Sequence, residues 1–322
     1  MATSPQSFST SNAYATLVSQ WDAGIRSLDM SDVEQFTRFH TDEVAAIRRW
    51  NDFPVGKLQP WGGGTSAIKE NVVGSTGQTV THEAGDYGSK VVIKNRDFTL
   101  NPSLVDEKIA ELRRAVQKRM KDLVYGALNG GFSDTYPTGA SYGNRPYFTD
   151  QNPYATDVST GAVGGTGAAG QPIQSNKLDT ALDYAALNSA ISLLQNFKDA
   201  SGEPYGLGMG QLCLIVPTQL RATAQNLAGG NLLGTSGTDS NPNSGMISVV
   251  SSPYLSGLDV NNWFVCETAA GGSTPVNLWI SGMPSIAVTD DPANASKVIT
   301  AVGYLKAWLD GPAAGIVGSQ VA

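Results

Sequence analysis

QLCLIVPTQLRATAQNLA, residues 211–228, is the stretch from which the fold is read. Gln211–Val216 is a short apolar strand, and Pro217 opens an amphipathic helix. A loop of Gly, Asn and Ser follows, and then a second apolar strand, ISVVSSPYL, at Ile247–Leu255. A strand running into a helix is where α/β enzymes place a phosphate loop or a nucleophile. Here the junction is Val216-Pro217-Thr218. Proline has no N–H to offer an anion, and its fixed φ suits the first position of a helix. The junction therefore carries scaffold where chemistry is usually found.

Outward from this unit, the chain alternates helices, short strands and long turns. Leu178–Phe197 has a helical apolar stripe: Leu178, Leu182, Ala185, Ala186, Leu193, Leu194 and Phe197. Pro102–Leu128 is the clearest helix, with Val105, Ile109, Leu112, Val116, Met120, Val124 and Leu128 at 3–4 spacing. It spans about 40 Å at 1.5 Å per residue, and Asn129-Gly130-Gly131 stops it. It carries Lys108, Arg113, Arg114, Lys118, Arg119 and Lys121 against Asp106, Glu107, Glu111 and Asp122. That pattern fits a solvated face or a locally basic strip turned to a polyanion.

Residues 1–55 read as helical and peripheral. Ser31-Asp-Val-Glu34 is a capping box, followed by a stripe of Val33, Phe36, Val44, Ile47 and Trp50. Residues 56–101 are punctuated by glycine. Gln78–Ala84 and Ser89–Arg96 read as two strands around the turn Gly85-Asp86-Tyr87-Gly88. Such a hairpin is polar on both faces and needs a partner, since two strands alone are marginal in water. Phe132–Asn176 is long and rich in turns. The tail holds further strands at Asn262–Glu267, Asn277–Ile280, Ser285–Val288 and Lys297–Trp308. The order predicts an α+β fold.

The 322 residues are 41% hydrophobic and 15% charged, with 36 glycines, enough for a real core beneath many loops. The net charge of −7 argues against direct gripping of nucleic acid, which needs basic surface. Cys213 and Cys266 sit in apolar runs and read as buried free thiols; a disulfide between them is left open. The first twelve residues, MATSPQSFSTSN, have no basic region or apolar core and are no signal peptide. No apolar run approaches the roughly 18 residues of a membrane span, so a soluble protein made in a reducing cytoplasm is expected.

Reactive constellations are not found. His40 and His82 have no partner at metal spacing and read as surface or packing histidines. Gly62-Gly-Gly-Thr-Ser66 lacks the lysine of a phosphate loop. Asp290-Asp291 precedes Pro292 and reads as a strand-ending turn instead of a cation site. No catalytic, cofactor-binding or metal residue is expected, and the chain reads as no enzyme.

Several segments in shared order resemble the major capsid proteins of tailed phages, closest to the Mu-like major head subunit family. They are Lys121-Asp-Leu-Val-Tyr-Gly-Ala-Leu-Asn-Gly-Gly-Phe132 and Tyr136–Pro153 with Gly143, Tyr147-Phe148 and Asn152-Pro153. Lys198-Asp-Ala-Ser-Gly-Glu-Pro204, Leu214-Ile-Val-Pro-Thr-Gln-Leu220 with Ala224, and Ser252-Pro-Tyr-Leu255 with Asn261-Asn-Trp263 continue the match. Asn152 stands where that family has histidine. The matches cover residues 120–265; the hairpin and the last 50 residues match less well.

The resemblance implies the Hong-Kong-97-type fold. Its parts map as an N-terminal arm at 1–55, an extended β-hairpin (the E-loop) at 56–101, and a peripheral domain at 102–177 with its spine helix at 102–128. An axial domain covers 178–296, and 297–322 returns to the peripheral domain. It implies a structural protein assembling as hexamers and pentamers into an icosahedral shell around double-stranded DNA, without sequence-specific binding. Such a shell is built in the host cytoplasm and found in the virion. A separate scaffolding protein, a portal and a decoration protein are the implied partners; no membrane is involved. Some capsids of this fold join an E-loop lysine to a neighbour's asparagine, and Lys69 and Lys90 lie in that region. An encapsulin-type nanocompartment shell is the first alternative; an extracellular adhesin or hydrolase is the second.

Overall fold

The computed structural model describes residues 10–43, 46–51, 78–133, 146–150, 152–153, 173–197, 204, 206–229, 232–233, 239–241, 243–268, 274–309 and 315–321. In chain order the first elements are α1 (Thr10–Arg26), α2 (Ser31–Glu34), β1 (Thr37–His40), β2 (Ala46–Asn51), β3 (Gln78–Glu83), β4 (Gly85–Lys94), α3 (Asn95–Leu100) and α4 (Pro102–Gly130). Next come β5 (Asn152–Pro153), β6 (Ile173–Gln174), β7 (Lys177–Leu178), α5 (Tyr184–Gln195), β8 (Leu212–Pro217), α6 (Arg221–Gly229), β9 (Leu232–Leu233) and β10 (Asp239–Ser240). The last are β11 (Ile247–Ser252), α7 (Pro253–Ser256), β12 (Trp263–Glu267), β13 (Val276–Ile280), β14 (Ser285–Asp291), β15 (Ser296–Leu309) and β16 (Ile316–Ser319).

Two five-stranded sheets carry the molecule, and their burial explains their sequences. In the first, β15 pairs antiparallel with β4, β13 and β14, and β1 lies parallel on β13. Leu305 registers with both Gly85 and Ile280, so β13 and β14 run end to end on the edge of β15 away from β4. Along β15, Ile299, Ala301, Leu305 and Ala307 are buried and alternate with less buried residues. One covered face produces that alternation. The second sheet has the order β11-β8-β12-β16-β7. Every residue of β8, β12 and β16 is buried, as strands covered on both faces require.

α4 joins the two sheets. Asn101 caps it by accepting the Leu104 N–H at 3.4 Å, and Pro102 fills its first turn. Val105, Ile109 and Leu112 pack with Trp21 of α1 and with Ile286, Ile299 and Ala301 of the first sheet. Met120, Val124, Tyr125 and Leu128 pack where β13 and β15 meet Cys213, Ile215, Phe264 and Cys266 of the second sheet. The other face of the second sheet, with Leu214, Val216, Trp263 and Val265, is covered by Leu187, Leu194, Ala224 and Ala228 of α5 and α6.

Several expectations change. The helix read across Val33–Trp50 is a single turn, α2, followed by strands β1 and β2. Ser31 is not its cap: the N-cap is Met30, and the Ser31 hydroxyl bonds Asp29 Oδ1 at 2.6 Å. Pairing with β13 and β3 outweighs the helical spacing there. The expected hairpin of 78–84 with 89–96 does not form. β3 pairs with β2, β4 pairs with β15, and the turn residues Gly85-Asp86-Tyr87-Gly88 lie extended within β4. Ten registered pairs with β15 offer β4 more than a short hairpin could.

The helix expected from Leu178 starts at Tyr184, because Asp183 Oδ1 takes the Ala186 N–H at 2.7 Å and Lys177–Leu178 pairs with β16. The strand expected to reach Leu255 ends at Ser252, where Pro253 opens α7. The division at 296/297 does not coincide with a break between sheets, since β13 and β14 pair with β15. β16, also in the tail, joins the second sheet.

Candidate assembly surface

The part of the first sheet formed by β4 and β15 carries exposed apolar side chains on the face turned from α4. Alternation along β15 turns Val298, Thr300, Val302 and Tyr304 away from α4. Val92 of β4 registers opposite Val298. Val92 is 56% exposed and Tyr304 47%. Exposed apolar side chains of this kind are what a contact surface presents.

Beyond one end of this face stands the β2–β3 ribbon, whose strands are joined by residues 52–77, outside the described residues. Its root is tied to the sheet by rings. His82 of β3 stacks on Trp308 with centroids 4.3 Å apart, and His40 of β1 stacks on the same indole at 5.7 Å. Trp279 Nε1 donates to the Asp42 carbonyl at 2.9 Å. The two histidines, expected as surface or packing residues, pack on one indole. They are far apart in the chain, and no spacing rule could have joined them.

The other singled-out residues have structural places. Lys297 Nζ reaches Asp290 Oδ1 at 2.6 Å and Asn294 bonds Asp291 at 2.8 Å, so this pair closes a turn as expected. Lys90 lies within β4, registered opposite Thr300, and not on the ribbon. Lys69 and Gly62–Ser66 lie outside the described residues. Cys213 and Cys266 are buried free thiols, directly opposite across β8 and β12, and burial pushes the Cys266 thiol up. After Pro217, Thr218–Leu220 forms a 3₁₀ turn before α6, and the Thr218 N–H donates to Ser256 Oγ at 2.8 Å.

On α4, Lys108 pairs with Glu111, Lys121 with Asp32, and Arg119 lies 4.2 Å over the Tyr87 ring. Arg113 donates to the Gln20 carbonyl. Most of the helix's cations thus bind the subunit itself, which leaves Arg114 and Lys118 exposed. Among the described residues no cluster of His, Cys, Asp and Glu could hold a metal ion, and no helix is long and apolar enough to cross a membrane.

One buried carboxyl matters to stability. Glu267 ends β12, is 3% exposed, and accepts the Gly208 N–H at 2.6 Å. Burial raises its pKa, and the Gly208 hydrogen bond only partly opposes this. A folded state that holds the proton more tightly is most stable below the ordinary glutamate value. It loses that stability as pH rises through the raised one. Glu267→Gln keeps an acceptor for Gly208 and cannot titrate. Urea denaturation from pH 4 to 8 should therefore show the wild type losing stability with rising pH relative to the variant. Parallel curves would contradict this.

A family model described as "Phage capsid protein" matches residues 77–320. Among solved structures, the chain is similar to the capsid of the empty GTA particle, with 13% identity, 92% of each chain covered and a TM-score of 0.53. It is also similar to the capsid of cyanophage Pam1, with 13% identity, 88% of this chain and 90% of that chain covered, and a TM-score of 0.51. At these identities the likeness is one of fold. No curated protein matches the chain in sequence.

Proposed function

The chain belongs to the phage capsid protein family, and from that premise we propose how its parts build a shell. It is a major capsid protein with the α+β Hong-Kong-97-type fold, a structural protein of the virion that assembles with copies of itself. The proposal is that hexamers and pentamers close an icosahedral wall around the double-stranded DNA of a tailed phage, and that the subunit performs no catalysis.

One observation supports this reading most: where β4 and β15 turn away from α4, Val92 and Tyr304 stand exposed. In the proposed division, residues 1–55 are the arm, 56–101 contain the E-loop, and α4 is the spine helix. The peripheral part is the first sheet with α1 and α4. The second sheet with α5 and α6 is the axial part. The β2–β3 ribbon then links the end of the arm to the E-loop region, and β4 is the anchor of that region in the sheet. The acidic balance suits a container that touches DNA lightly.

The motif order over residues 120–265 supports a Mu-like kinship. A scaffolding protein, a portal and a decoration protein are the expected partners, with assembly in the host cytoplasm. The test is expression of the full chain, alone and with a co-expressed scaffold, followed by sedimentation and electron microscopy. Megadalton icosahedral particles are expected. Monomers or dimers under all assembly conditions would overturn the proposal. Particles that enclose only protein cargo would favour a nanocompartment shell instead.

A further inference from the structure

β4 is a ten-residue strand that, among the described residues, is hydrogen-bonded along one edge, the edge it turns to β15. We propose that its other edge pairs antiparallel with the same edge of a second copy, across a two-fold axis that passes through Gly88. The proposal rests on the shell reading and deepens it by naming one contact between copies.

The main-chain register fixes which groups that edge offers. Just past the ladder, the Asn95 N–H donates to the Ala295 carbonyl at 2.9 Å. Bonded and unbonded positions alternate along an antiparallel pair. Ile93, Val91 and Ser89 therefore bond β15 as Asn95 does. The N–H and C=O groups of Lys94, Val92, Lys90, Gly88 and Asp86 point the other way. Asp86, Gly88 and Lys90 are exposed, so the edge is open there. An unpaired row of this kind is a template for another strand.

A strand that pairs with its own copy about a two-fold axis must centre on a residue whose groups point outward. Centred on Lys90 or Lys94, it sets that lysine against itself. Centred on Val92, it sets Lys90 against Lys94, and centred on Asp86, Asp86 against Asp86. Centred on Gly88, Asp86 of each copy lies opposite Lys90 of the other. Opposite charges directly across a pair stabilise it, and like charges oppose it. Neither Asp86 nor Lys90 has an ion-pair partner among the described residues, so both charges are available.

Gly88 is a second, independent pointer. A glycine inside a strand weakens it and often marks the close approach of another backbone. Nothing within the subunit demands glycine here. Its φ is not positive, and a Cβ would meet the Ala301 carbonyl oxygen at 3.5 Å, an ordinary contact. On the proposed axis, residue 88 of one copy faces residue 88 of the other. The paired stretch, 85–91 of each copy, supplies about six main-chain hydrogen bonds. Two short strands alone are marginal in water, so this contact needs copies already held side by side, as a wall holds them.

Cysteine variants of the full chain, oxidised with diamide and run on non-reducing gels, test this in particles and in concentrated free subunit. Directly opposite residues of a bonded pair have Cα atoms about 5.5 Å apart, within disulfide reach. Gly88→Cys should therefore give covalent dimers in particles. Asp86→Cys and Lys90→Cys, each alone, should give about ten-fold less, since each stands roughly 13 Å along the strand from its own copy. The double variant Asp86→Cys with Lys90→Cys should restore the dimers while leaving Gly88 in place. Wild type, whose Cys213 and Cys266 are buried, is the blank. Asp86→Lys should lower particle yield several-fold, and Asp86→Lys with Lys90→Asp should recover it. Monomer bands from both Gly88→Cys and the double-cysteine variant in intact particles would overturn the pairing. So would Lys90→Cys alone linking as well as Gly88→Cys, or a charge swap that recovers nothing. A wild type that forms no particles would sink the shell reading instead, and the free-subunit gels would then decide the pairing by the same comparison.

Discussion

Phe148→Ala is expected to cost the subunit about 3–5 kcal/mol, as large aromatic truncations in cores do. Phe148 is 1% exposed and sits where α4 ends between the two sheets. Its ring lies 4.6 Å from Phe132, 5.4 Å from Phe264 and 5.1 Å from Tyr147. Its N–H donates to the Gly131 carbonyl at 2.9 Å. A Cβ added at Gly131 would come within 2.8 Å of the ring, and one at Gly318 within 2.9 Å, so chain closes on it from both sides. With so little room to collapse, the variant keeps most of its cavity. Domains are stable by only about 5–15 kcal/mol, so much of the margin is lost. Urea unfolding of soluble subunit measures it. A shift within the scatter of surface variants would show that the aromatic cluster does not join the sheets.

The second large effect is on assembly. The double variant Val92→Lys with Tyr304→Lys is expected to fold normally and form no particles. Both positions face away from α4 and are about half exposed, so the substitutions leave the core intact. On a surface that meets a neighbouring copy, two desolvated and unpaired charges oppose association strongly, at every contact in the shell. Circular dichroism and unfolding should match the wild type, while sedimentation shows only small species. Normal particles would mean that this sheet face is not an interface.

What the sequence disclosed follows from how far apart partners lie. α4 was legible because its apolar stripe is local, and its observed span, Pro102–Gly130, extends the expected one by two residues. β8 and β12 were legible because burial on both faces leaves uninterrupted apolar runs. The β2–β3 pairing was not, since polar strands give little period and their partners are separated by residues 52–77. β16 was missed: it is four residues long and ends in Gly-Ser. The histidine stack had no local signature at all, because Trp308 meets His82 only through the tertiary register of β4 on β15.

The parallel pairing of β1 with β13 sets a clock on synthesis. Thr37 registers with Val276, so the first of these strands leaves the ribosome 239 residues before its partner. At about 5–20 residues per second, it waits roughly 12–48 s with its ladder unmade. During that wait Phe36, fully buried in the finished subunit, has no core to enter. Each polysome therefore displays many identical, unpaired strands at close quarters. Host chaperones that cover such segments during translation would raise the yield of subunits more than any that act after release.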